Sequence, residues 1–262
     1  MLKLVLRGAG VALMLAVLAF LAYELFEQPT NQLFGHTVTQ GPKNERVVAL
    51  TFDDGPNPPY TSRILDVLER EHVHATFFLV GRAVKAYPSV VRRELHDGDA
   101  IGNHTWDHPH LIMMTRTQVH KSLQQTDAAI YQVTGVHTKL MRPPYGARDW
   151  ATMQVAHRMG LIVVMWSVPL AKDWDYPPAV TIARRVLPRV TDGSIIVLHD
   201  GNRGLLCAQH RLNPHVCDRS NDIEATRLIV ENLKRQGYRF VTIPQLITLG
   251  KGAKHTPAPG AE

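Results

Sequence analysis

Two adjacent carboxylates, Asp53 and Asp54, end the apolar run Val47-Val48-Ala49-Leu50-Thr51-Phe52, and Gly55-Pro56 stops that run at once. Successive side chains of an extended strand point to opposite faces, so the two acids diverge and can divide labour. One can ligate a metal while the other handles a proton. Taken alone, the pair also fits a turn with a helix N-cap. His104 and His108 follow downstream, and on a helical turn two histidines at this spacing share one face. With one carboxylate they make a nitrogen and oxygen donor set suited to zinc or its first-row neighbours, with positions left open to water. A lone His-x-x-x-His pair, by contrast, reads as ordinary surface or core histidines.

Two further segments carry polar groups to a strand end. Arg142-Pro143-Pro144-Tyr145-Gly146 is a proline-fixed loop that can hold a guanidinium against a carboxylate and offer a backbone N–H to an oxyanion. Ser194 to Leu198 reads as a second buried strand, delivering His199 to its tip. The bland alternatives are a surface salt bridge for Arg142 and a satisfied strand-end histidine for His199.

These residues need a scaffold that brings several strand ends together. Strand-like runs at 47–52, 75–80, 161–166, 194–199 and 240–243 alternate with helical patterns at 61–71, 88–96, 117–134, 150–159, 179–190 and 222–236. Such alternation predicts a parallel sheet covered by helices. An open doubly wound sheet would also fit, but no glycine-rich phosphate loop follows the first strand.

The motifs Thr51-Phe52-Asp53-Asp54-Gly55-Pro56, His104-Thr105-Trp106-Asp107-His108, Arg142-Pro143-Pro144-Tyr145-Gly146 and Val197-Leu198-His199-Asp200 resemble, in order and spacing, those of polysaccharide deacetylases of the NodB-homology type, carbohydrate esterase family 4. The resemblance runs from about Arg46 to Leu246 and closes on Gly237-Tyr238-Arg239-Phe240-Val241-Thr242-Ile243. It implies an α/β fold, a distorted (β/α) barrel with fewer than eight strands. It also implies removal of N-acetyl groups from amino sugars of an envelope or extracellular glycan such as peptidoglycan, a chitin-like polymer or an exopolysaccharide. Asp54, His104 and His108 would hold a divalent metal, zinc by default, with cobalt or nickel able to use the same ligands. Asp53 would be the general base with Arg142 beside it, His199 the general acid, and the Tyr145 N–H an oxyanion donor. Trp174 would line a sugar subsite, or plug the barrel mouth. Ile196 and Leu198 would form an acetyl-methyl pocket, or simply be core.

One motif departs from the family. Trp166-Ser167-Val168-Pro169-Leu170-Ala171-Lys172-Asp173-Trp174 ends in the usual Asp-Trp but lacks the earlier aspartate expected to orient and charge the general-acid histidine. Unless Asp173 or Asp175 substitutes, the acid is weakened, which would favour O-acetyl esters over amides. A third reading is a non-catalytic glycan-binding relative, against which the intact Asp53, Asp54, His104, His108, Arg142 and His199 argue.

The remaining features set the context. At 262 residues the chain accommodates one catalytic domain and one appendage. We expect a membrane anchor or signal segment over 1–27, a tether over 28–43, the catalytic domain over 44–249 and a disordered tail over 250–262. Lys3 and Arg7 precede a largely uncharged apolar run, which predicts an N-terminal transmembrane helix with the domain exported to the periplasm or outside the cell. A secreted form after signal cleavage and a buried soluble-core helix are the alternatives. The +6 formal charge and pI near 9.4 suit an anionic polymer or membrane surface, and no nucleic-acid motif accompanies them. Cys207 and Cys217, the only cysteines, flank His210 and His215 in a loop of the domain expected to be exported, which suggests a disulfide, with a zinc knuckle or free thiols as alternatives.

Overall fold

The computed structural model describes residues 2–168, 171–206 and 214–252. Seven parallel strands build one sheet: β1 (Val47–Asp53), β2 (Thr76–Leu79), β3 (Ala100–Asn103), β4 (Leu140–Met141), β5 (Ile162–Val163), β6 (Ser194–His199) and β7 (Arg239–Phe240). Their order is β5-β4-β3-β2-β1-β6, with β7 paired to the start of β1. β1 is buried along its whole length, as the central strand of a sheet covered on both faces must be.

The helices are α1 (Leu2–Phe26), α2 (Tyr60–Glu71), α3 (Gly81–Ala86), α4 (Pro88–His96), α5 (Arg116–Thr134), α6 (Trp150–Arg158), α7 (Ala179–Val186), α8 (Pro214–Cys217), α9 (Ser220–Arg235) and α10 (Ile243–Gly252). The helix α10 carries the chain through Gly250 to Gly252, where a disordered tail was expected to begin. Residues 253–262 lie outside the described residues.

The alternation of β1 sorts its side chains into two layers. Val48, Leu50 and Phe52 join the large cluster that includes Ile64, Leu68, Ile182 and Ile229 from the helices. Val47 and Ala49 join a second cluster with Phe78, Val164 and Ile195 on the inner face of the sheet. Thr51 and Asp53 share the parity of Val47 and Ala49, so the alternation turns them inward as well.

The sheet curls, and short segments close it. The N–H groups of Ser167 and Val168 bond the Ile195 carbonyl at 3.1 and 3.2 Å, joining the chain beyond β5 to β6. Residues 28–43, expected as a tether, lie against this seam. Val38 donates to Val163 (2.9 Å) and accepts from Met165 (2.8 Å), while Gly41 donates to Gly193 (2.7 Å). The expected distorted barrel of fewer than eight strands is therefore the one observed.

The end of α1 is tied to the rim. Arg148, 2 % exposed, donates from its guanidinium to the carbonyls of Gly146 (2.9 Å), Gln28 (2.8 Å) and Asn31 (2.5 Å), and its backbone N–H bonds Phe26 (3.0 Å). Asn31 in turn caps the free Glu24 and Leu25 carbonyls at 3.0 and 2.9 Å. Among the residues whose side chains are described, no helix is long and apolar enough to cross a membrane. From Val11 onward, large apolar side chains of α1 are nonetheless exposed, Leu13 at 68 % and Phe20 at 60 %.

Candidate active site

The carboxyl ends of the strands converge on one rim. Asp53 pairs in register with His199, Leu79 with Asn103, and Asn103 with Met141. The chain continues from β1, β3 and β4 into Asp54, His104 and Arg142, so three strands of the sheet each deliver one polar group to the same rim.

Arg142 is completely buried, and every side-chain nitrogen is used. Its Nη1 donates to Asp53 Oδ1 at 2.7 Å and to Thr51 Oγ1 at 2.8 Å. Nε donates to the Val164 carbonyl (3.2 Å) and Nη2 to that of Met165 (3.1 Å), while the guanidinium lies 4.1 Å from the Phe78 ring centroid. Burial pulls its pKa down and Asp53 opposes that pull, so the cation persists as Asp53's partner.

Asp54 diverges from its neighbour as strand alternation requires, and the chain turns sharply there (φ 79°). Its Oδ2 accepts the Arg203 N–H at 2.7 Å. Its Oδ1, buried and without a hydrogen-bond donor, faces His108 Nε2 at 3.1 Å and His104 Nε2 at 3.4 Å. Burial alone would raise the Asp54 carboxyl, but the facing imidazoles outweigh it and hold it well below the usual range.

The histidines reach this position differently from the expectation. Residues 104–108 form a loop beyond β3 rather than a helical turn, with left-handed backbone at Thr105 (φ 70°) and His108 (φ 58°). Asn103 Oδ1 accepts the Thr105 N–H and Thr105 Oγ1 accepts the His108 N–H, which folds the loop back and brings the rings to 5.0 Å. His104 Nδ1 lies 2.8 Å from the Arg142 carbonyl, which fixes that nitrogen as the protonated one and leaves Nε2 free to ligate. Burial lowers the His108 pKa and keeps its ring neutral at neutral pH.

The ligand atoms of Asp54, His104 and His108 all lie within 4.8 Å of one another. An orphaned carboxylate oxygen facing the Nε2 atoms of two imidazoles fits a divalent cation of the zinc class.

His199 does not lack a carboxylate. Of the two substitutes the altered motif left open, Asp173 is the one at the histidine: its carboxylate lies 2.9 and 3.1 Å from His199 Nδ1 and accepts the His199 N–H at 2.6 Å. Lys172, at φ 47°, turns the loop so that Asp173 arrives from its later position. Pro169 and Leu170 lie outside the described residues. Burial would lower the His199 pKa, but Asp173, helped by Asp54 and Asp53, lifts it to about 9.

Other expected residues fall in different places. Tyr145, 40 % exposed and at φ 61°, sets its ring edge-on to His108 (4.7 Å) and stacks on His110 (5.1 Å). Trp174 is 54 % exposed beside Asp173. Ile196 and Leu198 are fully buried in the cluster beneath the helices. Alternation along β6 turns them away from His199's face, so they are core; the apolar β6 side chains sharing that face are the buried Ile195 and, nearest His199, the half-buried Val197. Cys217 is not a free thiol, while Cys207 and His210 lie outside the described residues.

The sequence reading missed several contributors. Thr51 Oγ1 accepts from Arg142 and the Arg203 N–H holds Asp54, but neither type stands out in a sequence. His110 lies 3.1 Å from Glu27, linking the end of α1 to the ring that stacks on Tyr145.

Comparison with known proteins places this geometry. The polysaccharide deacetylase family profile matches residues 40–164. A peptidoglycan-N-acetylglucosamine deacetylase of Listeria monocytogenes is 39 % identical over 204 residues, covering 78 % of this chain and 39 % of its own length. The chain thus spans about two-fifths of that relative. A peptidoglycan-N-acetylglucosamine deacetylase of Bacillus cereus is 35 % identical over 82 % of this chain and 73 % of its own. The solved structure of the Bc1960 peptidoglycan N-acetylglucosamine deacetylase superposes with a TM-score of 0.71 at 33 % identity, covering 80 % of this chain and 92 % of that one. With these matches, and with the Asp54–His104–His108 cluster, the Asp53–Arg142 pair and the Asp173–His199 pair in place, the chain belongs to the polysaccharide deacetylase family.

Proposed function

We propose that this chain removes N-acetyl groups from amino sugars of an envelope glycan, with peptidoglycan the leading candidate. The observation that carries the reading is the pairing of a base and an acid across one rim. Asp53 is held by Arg142 on one side, and His199 is held by Asp173 on the other. An amide needs both a sharpened nucleophile and a protonated leaving nitrogen. Asp53 takes the proton from the attacking water, and the His199 imidazolium gives one to the departing amine. A divalent cation held by Asp54, His104 and His108, zinc by default, supplies polarisation of the acetyl carbonyl and acidification of water. The Tyr145 N–H is the further oxyanion donor, Val197 lies where an acetyl methyl would pack, and the exposed face of Trp174 suits a pyranose ring.

The ester alternative rested on an unpartnered His199, and Asp173 removes that reason. Acetate release decides between them, using metal-loaded full-length protein on N-acetylglucosamine oligomers and peptidoglycan beside an O-acetylated xylan. Release from the amide substrates supports the proposal. Release from the ester alone overturns it in favour of an esterase, and metal binding without release from any substrate leaves the non-catalytic relative.

We further infer that α1, with the residues preceding Val11, anchors the chain in a membrane and that the catalytic domain is exported. The support is the exposed apolar surface of α1 together with Lys3 and Arg7 near the N-terminus. Retention in an alkali-washed membrane fraction tests it; a soluble product starting beyond residue 27 would show a cleaved signal instead. A Cys207–Cys217 disulfide belongs to the same exported reading, and mass spectrometry before and after reduction tests it.

A further inference from the structure

The general-acid pair has a third member that the family motifs do not name. Asp222 stands in the first turn of α9 and is 1 % exposed, as is Asp173. The two carboxyl groups are in hydrogen-bond contact. Two ionised carboxylates in a dry site repel strongly, so one of them holds a proton.

The surrounding groups show which. Asp173 accepts from the His199 N–H and lies against His199 Nδ1. Asp222 Oδ1 is buried with no donor at all, and Arg219 Nη1 stays 3.9 Å from Oδ2 while its Nε is spent on the Gly201 carbonyl. The donors therefore hold charge on Asp173 and leave Asp222 neutral.

We propose that Asp222 is a neutral carboxylic acid that donates its proton to the Asp173 carboxylate and so acts as a positioning residue for His199. The proposal rests on the reading of His199 as general acid only for its effect on turnover. Burial, and then the charge of Asp173, raise the Asp222 carboxyl well above its ordinary range. The groups facing it are Asp173, His199 and Arg219, with Asp53 and Asp54 beyond His199. Its consequence is a graded grip. A bare carboxylate would hold the His199 proton too tightly, and the hydrogen bond from Asp222 draws charge out of Asp173 so that the proton can leave.

The test compares Asp222→Asn, which keeps an N–H donor without charge, with Asp222→Ala, which removes the donor. Melting temperatures confirm that both fold. Asp222→Asn is expected to keep kcat within about threefold and leave the alkaline limb of its pH profile in place, whereas Asp222→Ala loses about tenfold in kcat at unchanged KM and moves that limb to higher pH. Infrared difference spectra of wild type against Asp222→Asn at neutral pH should show the loss of one protonated carboxyl C=O band. Equal damage from the two variants, or no such band, overturns the proposal and makes Asp222 an ionised partner of Arg219. The infrared result needs no turnover, so it stands apart from any failure of the deacetylase reading.

Discussion

Arg142 Nη1 lies 2.7 Å from Asp53 Oδ1, and neither group has water to fall back on: the guanidinium is fully buried and the carboxylate nearly so. A pair this dry is weak as a source of stability but severe when broken, because the survivor is left as an uncompensated buried charge. Arg142→Ala should cost about 3–5 kcal/mol in urea unfolding and abolish turnover. Arg142→Lys should lose most of the activity too, since one ammonium cannot reach Thr51, Asp53, Val164 and Met165 together. Near wild-type kcat/KM in Arg142→Lys would show that Asp53 needs only a nearby charge.

The two neighbouring aspartates should separate cleanly. Asp54→Ala or His104→Ala removes metal and activity together, because each supplies one atom of the ligand trio. Asp53→Asn keeps the metal and loses turnover by about 10²–10⁴, the usual worth of a positioned general base. Metal content by mass spectrometry, beside acetate release, reads both. An active Asp53→Asn would remove Asp53 as the base.

His199 must be protonated to serve as the acid, and Asp173 lifts its pKa to about 9. Activity is therefore present below that value and lost as pH rises through it. A cation in the ligand trio repels the imidazolium and brings the limb somewhat lower in the loaded enzyme. Asp173→Asn removes the main raising charge, so its alkaline limb should move to lower pH and kcat at pH 8 should fall. An unmoved limb would mean that another group controls it.

Away from the site, Glu94 of α4 is fully buried with both carboxylate oxygens unpartnered, and burial followed by Asp200 and Asp99 raises its carboxyl well above the ordinary value. Burial likewise pushes Asp99 up to about 7. Both bind protons more tightly in the folded chain than in the unfolded one. Their contribution is therefore complete below the ordinary carboxylate pKa and lost as pH rises through the folded values. Melting temperature should decline from pH 5 to pH 8. Glu94→Gln should flatten that decline and stabilise by about 1–3 kcal/mol at pH 8, with little gain at pH 5. Equal gains at both pH values would show that Glu94 is not the group titrating.

What was legible in the sequence follows from what is local. Asp53-Asp54 and His199 sit at the ends of long buried strands, so their convergence could be read from apolar runs alone. The strands leading to His104 and Arg142 are short, four and two residues, and leave no period to detect. The helical reading of 104–108 failed because left-handed turns at Thr105 and His108, fixed by Asn103 and Thr105 side chains, bring the rings together without a helix. Asp173 was undervalued because register along an irregular loop cannot be counted from sequence. Asp222 opens the helical pattern 222–236, a first-turn position where the helix dipole favours any acid, so its type carries no further signal. Ile196 and Leu198 could have been placed correctly, since the alternation that separates Asp53 from Asp54 also separates them from His199.

The contacts of Arg148 leave no leash between helix and catalytic rim. Five carbonyls, from Phe26, Gln28, Pro29, Asn31 and Gly146, converge on one residue that stands three places from Tyr145. The last turn of α1 is therefore fastened directly to the mouth of the barrel. Were α1 the anchor proposed above, a long polymer would be worked only along the band within reach of a mouth fastened to that anchor, and its next sugar would arrive by travel of the strand.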